Sequence, residues 1–165
     1  SQKYLVEQLQ SHSISREYSA IVCGYMISGG SISEPIGRDP RDRVKQAIVA
    51  NGKDSTTHFR VIDRFKSHTH VKAILETGRT HQIRVHLSHI GHPLIGDPMY
   101  GGRVRFPKKA SEYLKESLIN FKRQALHSKS LTITHPVTGE TMLWKSKLPD
   151  DMAKLLKALK EFDSE

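Results

Sequence analysis

"LETGRTHQIRVHLSHIGHPLIGDPMYGG", residues 75–102, sets two arginines, four histidines and five glycines between two apolar runs. The apolar run before it reads as a strand ending near Thr77. Gly78 then makes a turn, and a helix runs from about Thr80 to Ile90 until Gly91 stops it. Within the helix, Ile83, Leu87 and Ile90 recur at i, i+4 and i+7 and form a stripe toward a core. Arg84 falls about a quarter turn from that stripe, at its rim. A guanidinium there cannot lose its charge, so the position calls for a carboxylate gripped by paired hydrogen bonds or for a phosphate. An ordinary structural ion pair would satisfy it equally. Arg79, just ahead of the helix, stands where a phosphate could meet both its side chain and the free N–H groups of the first turn.

The histidines invite a metal reading, which their spacing opposes. His86, His89 and His92 step round a helix by about 60 degrees at each interval and fan apart, with no cysteine or carboxylate in the run to complete a zinc site. The sequence HExxH is absent. His89 and His92 are better suited to holding the loop "GHPLIGDPMYGG" by hydrogen bonds.

Working outward, Arg16 to Met26 alternates and then runs apolar as a strand, and "SGGS" breaks the chain after it. Residues 33–57 hold two prolines, two glycines and the basic cluster Arg38, Arg41, Arg43 and Lys45, an extended loop or loose hairpin with a basic edge. A merely solvated loop has the same composition. "HFRVIDRF" and "THVKAILET" alternate as a hairpin broken at Lys66 to His68. "SLTITHPVTGETMLW" gives two more alternating runs around "HPVTG". Met152, Leu155, Leu156, Leu159 and Phe162 fall at helical spacing, with Asp150 or Asp151 as cap and Lys154, Lys157 and Lys160 on the wet face. At the other end, Tyr4, Leu5 and Leu9 suggest the last turns of a helix, and the chain opens without an initiating methionine, as a fragment would.

The 165 residues fit one domain able to bury a core. Lysine and arginine number 26 against 17 acidic residues, a formal charge of +9 that points toward a polyanionic partner such as nucleic acid; general solubility or attraction to an acidic membrane is the rival reading. The sole cysteine, Cys23, lies in "YSAIVCGYM", excludes an intrachain disulfide and fits a reducing cytoplasm as a small buried hydrophobe. No signal peptide, lipidation motif or membrane-spanning apolar run is present, so a soluble protein that does not associate with a membrane is expected.

The stretch "GRTHQIRVHLSHIGHPLIGDPMYG" closely resembles a conserved motif of the RluA-type pseudouridine synthases, and the likeness continues through "SREY" at 15–18, "GKDSTTHFRV" at 52–61, "RQALHS" at 123–128 and "HPVTGE" at 135–140. The segment "GGRVRFPKKASEYLKESLINFKRQALH" is most similar to the branch of that family that acts on large-subunit ribosomal RNA. The resemblance implies an α/β (α+β) fold with a mixed, mainly antiparallel sheet flanked by helices. It also implies an enzyme that isomerises uridine to pseudouridine in RNA with neither metal nor organic cofactor. The family's catalytic aspartate stands in a motif like HRLDxxTSG, which this sequence lacks; none of Asp39, Asp42, Asp54, Asp63 or Asp97 has the required neighbours. Residues 1–165 are therefore expected to be the C-terminal part of a single catalytic domain, inactive alone, with the aspartate upstream of Ser1. Two catalytic positions are implied within the chain. Tyr18 would stack on the target base and serve in proton transfer, and Arg84 would pair with the missing aspartate, lacking a carboxylate without it. Arg79, His81 and Gln82 fall on motif positions expected to organise substrate or loops, and the basic segment at Arg38, Arg41, Arg43 and Lys45 becomes an RNA-gripping hairpin. RNA is the expected partner, with the complete protein a monomer and the isolated chain prone to self-association. A non-catalytic basic RNA-binding domain and a histidine-metal hydrolase are the alternatives.

Overall fold

The computed structural model describes residues 15–134 and 141–163. The expected helix around Tyr4, Leu5 and Leu9 and the turn "HPVTG" lie outside the described residues. Among the described residues eight strands and three helices follow in the order β1 (Ser15–Cys23), β2 (Gly30–Ser33), β3 (Ile36–Arg38), β4 (Gln46–Ile48), β5 (Thr56–Arg64), β6 (His68–Leu75), α1 (Gln82–His89), α2 (Glu112–Asn120), β7 (Leu126–Thr134), β8 (Thr141–Lys145) and α3 (Asp150–Asp163).

Six strands make one sheet in the order β2-β5-β6-β1-β7-β8, while β3 and β4 pair separately. The neighbours in both sheets run antiparallel. The fold is α+β, as the family resemblance implied. β1 lies at the centre between β6 and β7. Period-2 alternation sends its residues to two cores. Ala20 and Val22 join Phe59, Val71, Ala73, Ile83 and Leu87, which puts α1 on one face. Ile21 and Cys23 join Leu114, Leu118, Met152, Leu155 and Leu159, which puts α2 and α3 on the other. α3 follows the expected spacing, with Met152, Leu155, Leu159 and Phe162 buried. Asp150 and Asp151 stand inside its first turn rather than ahead of it, and the Asp151 carboxylate takes both prongs of Arg123 at 2.7 and 2.8 Å.

Several sequence expectations shift. β1 ends at Cys23, three residues early, because Gly24 takes φ +90° and turns the chain. The break between β5 and β6 falls one residue earlier than expected, at 65–67, since β5 ends at Arg64 and His68 already belongs to β6. β2 arises within the "SGGS" break, Gly30 pairing with Phe59 and Ser33 with Thr56. α2 has no counterpart in the sequence reading; Ser111 caps it by accepting the N–H of Leu114, and only Leu114 and Leu118 of its nine residues are buried. Among the described residues no helix is long and apolar enough to cross a membrane.

Candidate functional site

The turn between β6 and α1 is held by one buried glutamine. Gln82 Oε1 accepts from the Thr77 hydroxyl at 2.8 Å and the Arg79 N–H at 3.0 Å, while its Nε2 donates to the Thr56 carbonyl and the Thr57 hydroxyl, each at 2.9 Å. All four hydrogen-bonding positions of the amide are filled by protein. Gln82, expected to organise substrate or loops, is buried and pins the start of α1 to β5 while also lining the cleft described below. The network continues to His86, whose Nε2 donates to the Glu34 carbonyl at 3.0 Å and whose Nδ1 therefore accepts from the Thr57 hydroxyl at 2.8 Å. Burial, the largest influence, holds the His86 pKa below its usual value, so the ring is neutral.

α1 is buried on nearly every side rather than along one stripe: Gln82 through Leu87 are all buried. Ile90, placed in the stripe by its spacing, is 36% exposed because the helix ends at His89 and the chain departs through Gly91 at φ +87°. Arg84, expected at the rim, is 8% exposed. Its carboxylate comes from within the chain. Nε and Nη2 donate to the two oxygens of Asp97 at 2.9 and 2.8 Å, which corrects the expectation that Arg84 lacks a partner here. The Asp97 carboxylate also accepts the N–H groups of Met99 and Tyr100 at 2.9 and 3.1 Å. Burial raises its pKa, but these hydrogen bonds and the Arg84 charge outweigh burial and leave it below the usual carboxylate range. The hydrogen bond to Asp97 likewise raises the Arg84 pKa. Asp97 reaches Arg84 because the loop folds tightly at Gly96, where φ is +75° and a Cβ would clash with the Phe121 and Arg123 carbonyls.

Tyr100 joins this pair to the small sheet. Its hydroxyl accepts the Gln46 N–H at 2.8 Å and is hydrogen-bonded to His81 Nδ1 at 2.8 Å, while its ring lies 4.9 Å from the Arg84 guanidinium carbon. His81 caps α1 in the left-handed region, φ 56°, ψ 22°, a conformation uncommon for a residue with a Cβ. Burial first, then the Arg84 charge, lower its pKa.

A cleft of about 230 Å³ opens beside this network, lined by Arg16, Tyr18, Leu75, Gly78, Arg79, His81, Gln82, Ile83, Arg84, Gln124 and Leu126. Tyr18 sits where the β1–β7 register shifts at Glu17/Tyr18, a bulge of the kind that re-aims a side chain. It packs half-buried on the Ala20 and Val22 core. Five of the nine residues selected from the sequence thus meet in one cleft: Tyr18, Arg79, His81, Gln82 and Arg84. The remaining four, Arg38, Arg41, Arg43 and Lys45, lie on the β3–β4 hairpin, the arginines exposed and Lys45 half-buried. Its turn is ordered by the Asp39 carboxylate accepting from the Arg41 N–H at 2.8 Å and Asp42 accepting from Val44 at 3.2 Å. Arg79 donates through Nε and Nη2 to the Asp54 carbonyl at 3.0 and 2.9 Å, so its guanidinium straps the loop before β5 and keeps Nη1 and the second Nη2 hydrogen for a ligand. His92 Nδ1 donates to the Cys23 carbonyl at 2.8 Å and holds its loop, whereas His89 is exposed and does not. Among the described residues no three His, Cys, Asp or Glu side chains are grouped to hold a metal ion.

The sequence reading missed Asp97 as Arg84's partner, Tyr100 as the connector, and Arg16 and Gln124 as cleft walls. "GDPMYGG" carried a signal for the first, since an aspartate followed by proline and glycines is a turn former whose carboxylate caps the N–H groups two and three residues on.

The description RNA pseudouridylate synthase belongs to the family profile that matches residues 1–89, a span containing both Tyr18 and Arg84. The ribosomal large subunit pseudouridine synthase D of Pseudomonas aeruginosa is 55% identical over 157 residues, covering 95% of this chain and 49% of that protein. The protein of the same description from Escherichia coli is 48% identical over 160 residues, covering 97% and 49%. This chain thus spans about half the length of the curated relatives it matches. Among solved structures, human RNA pseudouridylate synthase domain containing 4 superposes with a TM-score of 0.73 at 25% identity, over 96% of this chain and 67% of that one. The chain belongs to the RNA pseudouridylate synthase family.

Proposed function

We propose that these residues form the C-terminal part of the catalytic domain of an enzyme that converts specific uridines of large-subunit ribosomal RNA to pseudouridine. The observation that carries this reading is the meeting of Tyr18 and Arg84 in one cleft, beside an exposed basic hairpin. The reaction breaks the bond from ribose C1′ to N1 of the base, turns the base, and joins C1′ to C5, with a proton leaving C5 and one arriving at N1. Tyr18 provides a π-face for a base drawn out of its stack and a hydroxyl for the proton. Arg84, fixed at Nε and Nη2 by Asp97, keeps Nη1 for an anion at the cleft. That anion is an aspartate supplied by the rest of the longer protein. Asp97 does not take its place, because its carboxylate is buried, accepts from Arg84, Met99 and Tyr100, and does not line the cleft. The hairpin arginines grip phosphates without reading sequence. The complete protein acts as a monomer in the cytoplasm.

The test compares the 165-residue chain with the full-length protein on unmodified large-subunit ribosomal RNA, mapping pseudouridine by mass spectrometry. The full-length protein should form product, and the isolated chain should bind RNA weakly and form none. Product from the isolated chain would place the catalytic group within it and overturn the division proposed here.

A further inference from the structure

The sheet face opposite the cleft carries a second cavity of about 260 Å³, under the loop that follows Tyr100. Its floor includes Cys23 and His68, which face each other across the β1–β6 ladder. His68 is 1% exposed, and among the described residues no well-aligned hydrogen bond reaches either ring nitrogen, although the Arg105 backbone lies close enough to raise its pKa against the effect of burial. A buried imidazole in that condition is costly unless something else meets its donor and acceptor. The walls are apolar, from Leu94, Ile95, Leu118 and Phe121, and the mouth carries the exposed cations Arg103, Arg105 and Lys122. Burial raises the pKa of Cys23 and lowers that of His68, and the charge of Arg105 reaches both, opposing burial at Cys23 and adding to it at His68.

We propose that this cavity is a second nucleotide-binding site, which takes the base of one unpaired RNA nucleotide against His68 and its phosphate on the cations at the mouth. A flat heterocycle matches the apolar walls, and its edge offers a donor or an acceptor to the imidazole nitrogen that faces it. An acyl chain or an aliphatic side chain would leave both nitrogens unmet. The cations at the mouth add the charge complementarity that a phosphate requires. Tyr18 and Cys23 lie five residues apart on β1, about 17 Å. The bound nucleotide is therefore not the immediate neighbour of the one in the cleft but belongs to another part of the same RNA element. The site rests on the reading that RNA is the substrate, though not on the catalytic roles of Tyr18 and Arg84.

The experiment uses the full-length protein and a minimal RNA bearing a target uridine, with each unpaired position made abasic in turn and affinity measured by fluorescence anisotropy. One position away from the target should weaken binding about tenfold when its base is removed. Ile119→Trp fills the mouth from a residue that is 50% exposed, and His68→Phe removes the two nitrogens at similar volume. Each should weaken binding of the intact RNA and abolish the penalty at that position, with the melting temperature checking that His68→Phe folds. A flat scan, or a penalty that persists in both variants, overturns the site. Saturation by free uridine or adenosine monophosphate together with a flat scan also overturns it, making the ligand a free mononucleotide. A flat scan with normal pseudouridine formation removes this site and leaves the proposed function standing. A sensitive position without any product does the reverse.

Discussion

Arg84 and Asp97, thirteen residues apart, form a buried two-point ion pair whose carboxylate is also capped by two backbone N–H groups. Removing one partner leaves a buried charge unpaired, which costs about 3–5 kcal/mol. Arg84→Ala in the full-length protein should therefore lower the melting temperature as well as abolish turnover. Arg84→Lys should restore little, since an ammonium cannot span both oxygens. Near-normal turnover in Arg84→Ala would remove Arg84 from the mechanism.

His68 gives the fold an acid sensitivity. Burial lowers its pKa from 6.5 to about 4. Between those values the unfolded chain binds a proton that the folded chain refuses, so stability falls as pH drops from about 6.5 to 4, by about 3 kcal/mol. Asp97, whose folded pKa is lowered, acts at more acid pH: its contribution is present above about 3.9 and is lost as pH falls further. Denaturant midpoints measured from pH 7 to 4 should decline in the wild type and flatten in His68→Phe. A decline of equal size in that variant would assign the sensitivity elsewhere.

Arg38, Arg41 and Arg43 are exposed on the hairpin and are expected to meet RNA phosphates. Changing all three to glutamate should weaken RNA binding and reduce the slope of log affinity against log salt by about one per lost contact. Melting temperature should stay within a degree or two, since the three side chains are not part of the core. An unchanged salt slope would make this an ordinary solvated loop.

Tyr100→Phe keeps the ring over Arg84 and deletes the hydroxyl shared by Gln46 and His81. A loss of about 1–3 kcal/mol is expected for the groups left without a partner. The loosening should concentrate at β4, seen as faster hydrogen exchange of the Gln46 amide. Unaltered exchange there would show that the hairpin is held by its other contacts.

Local chemistry was more legible in the sequence than spatial neighbourhood. Ile83 and Leu87 announced a buried helix face by their spacing, and Arg84 announced an anion because its charge is permanent. The identity of that anion was hidden, since bringing Asp97 back to α1 depends on the tight fold at Gly96. Strand alternation marked which faces of β1, β5 and β6 are buried, but not that β1 pairs with β6 and β7 rather than with β2. α2 escaped because two buried leucines among exposed polar residues give a faint helical signal. β2 escaped because four residues opening on glycine look like a break.

The β3–β4 pair is a sheet of its own, and no strand of the six-stranded sheet takes its register from it. Residues added or deleted at its tip, between Asp39 and Lys45, would leave the ladder beneath Tyr18 and the position of Arg84 undisturbed. On the proposed reading of hairpin and cleft, substrate choice and bond chemistry are thereby separable traits: a change in the length and charge of this finger would address a different RNA and leave the cleft intact.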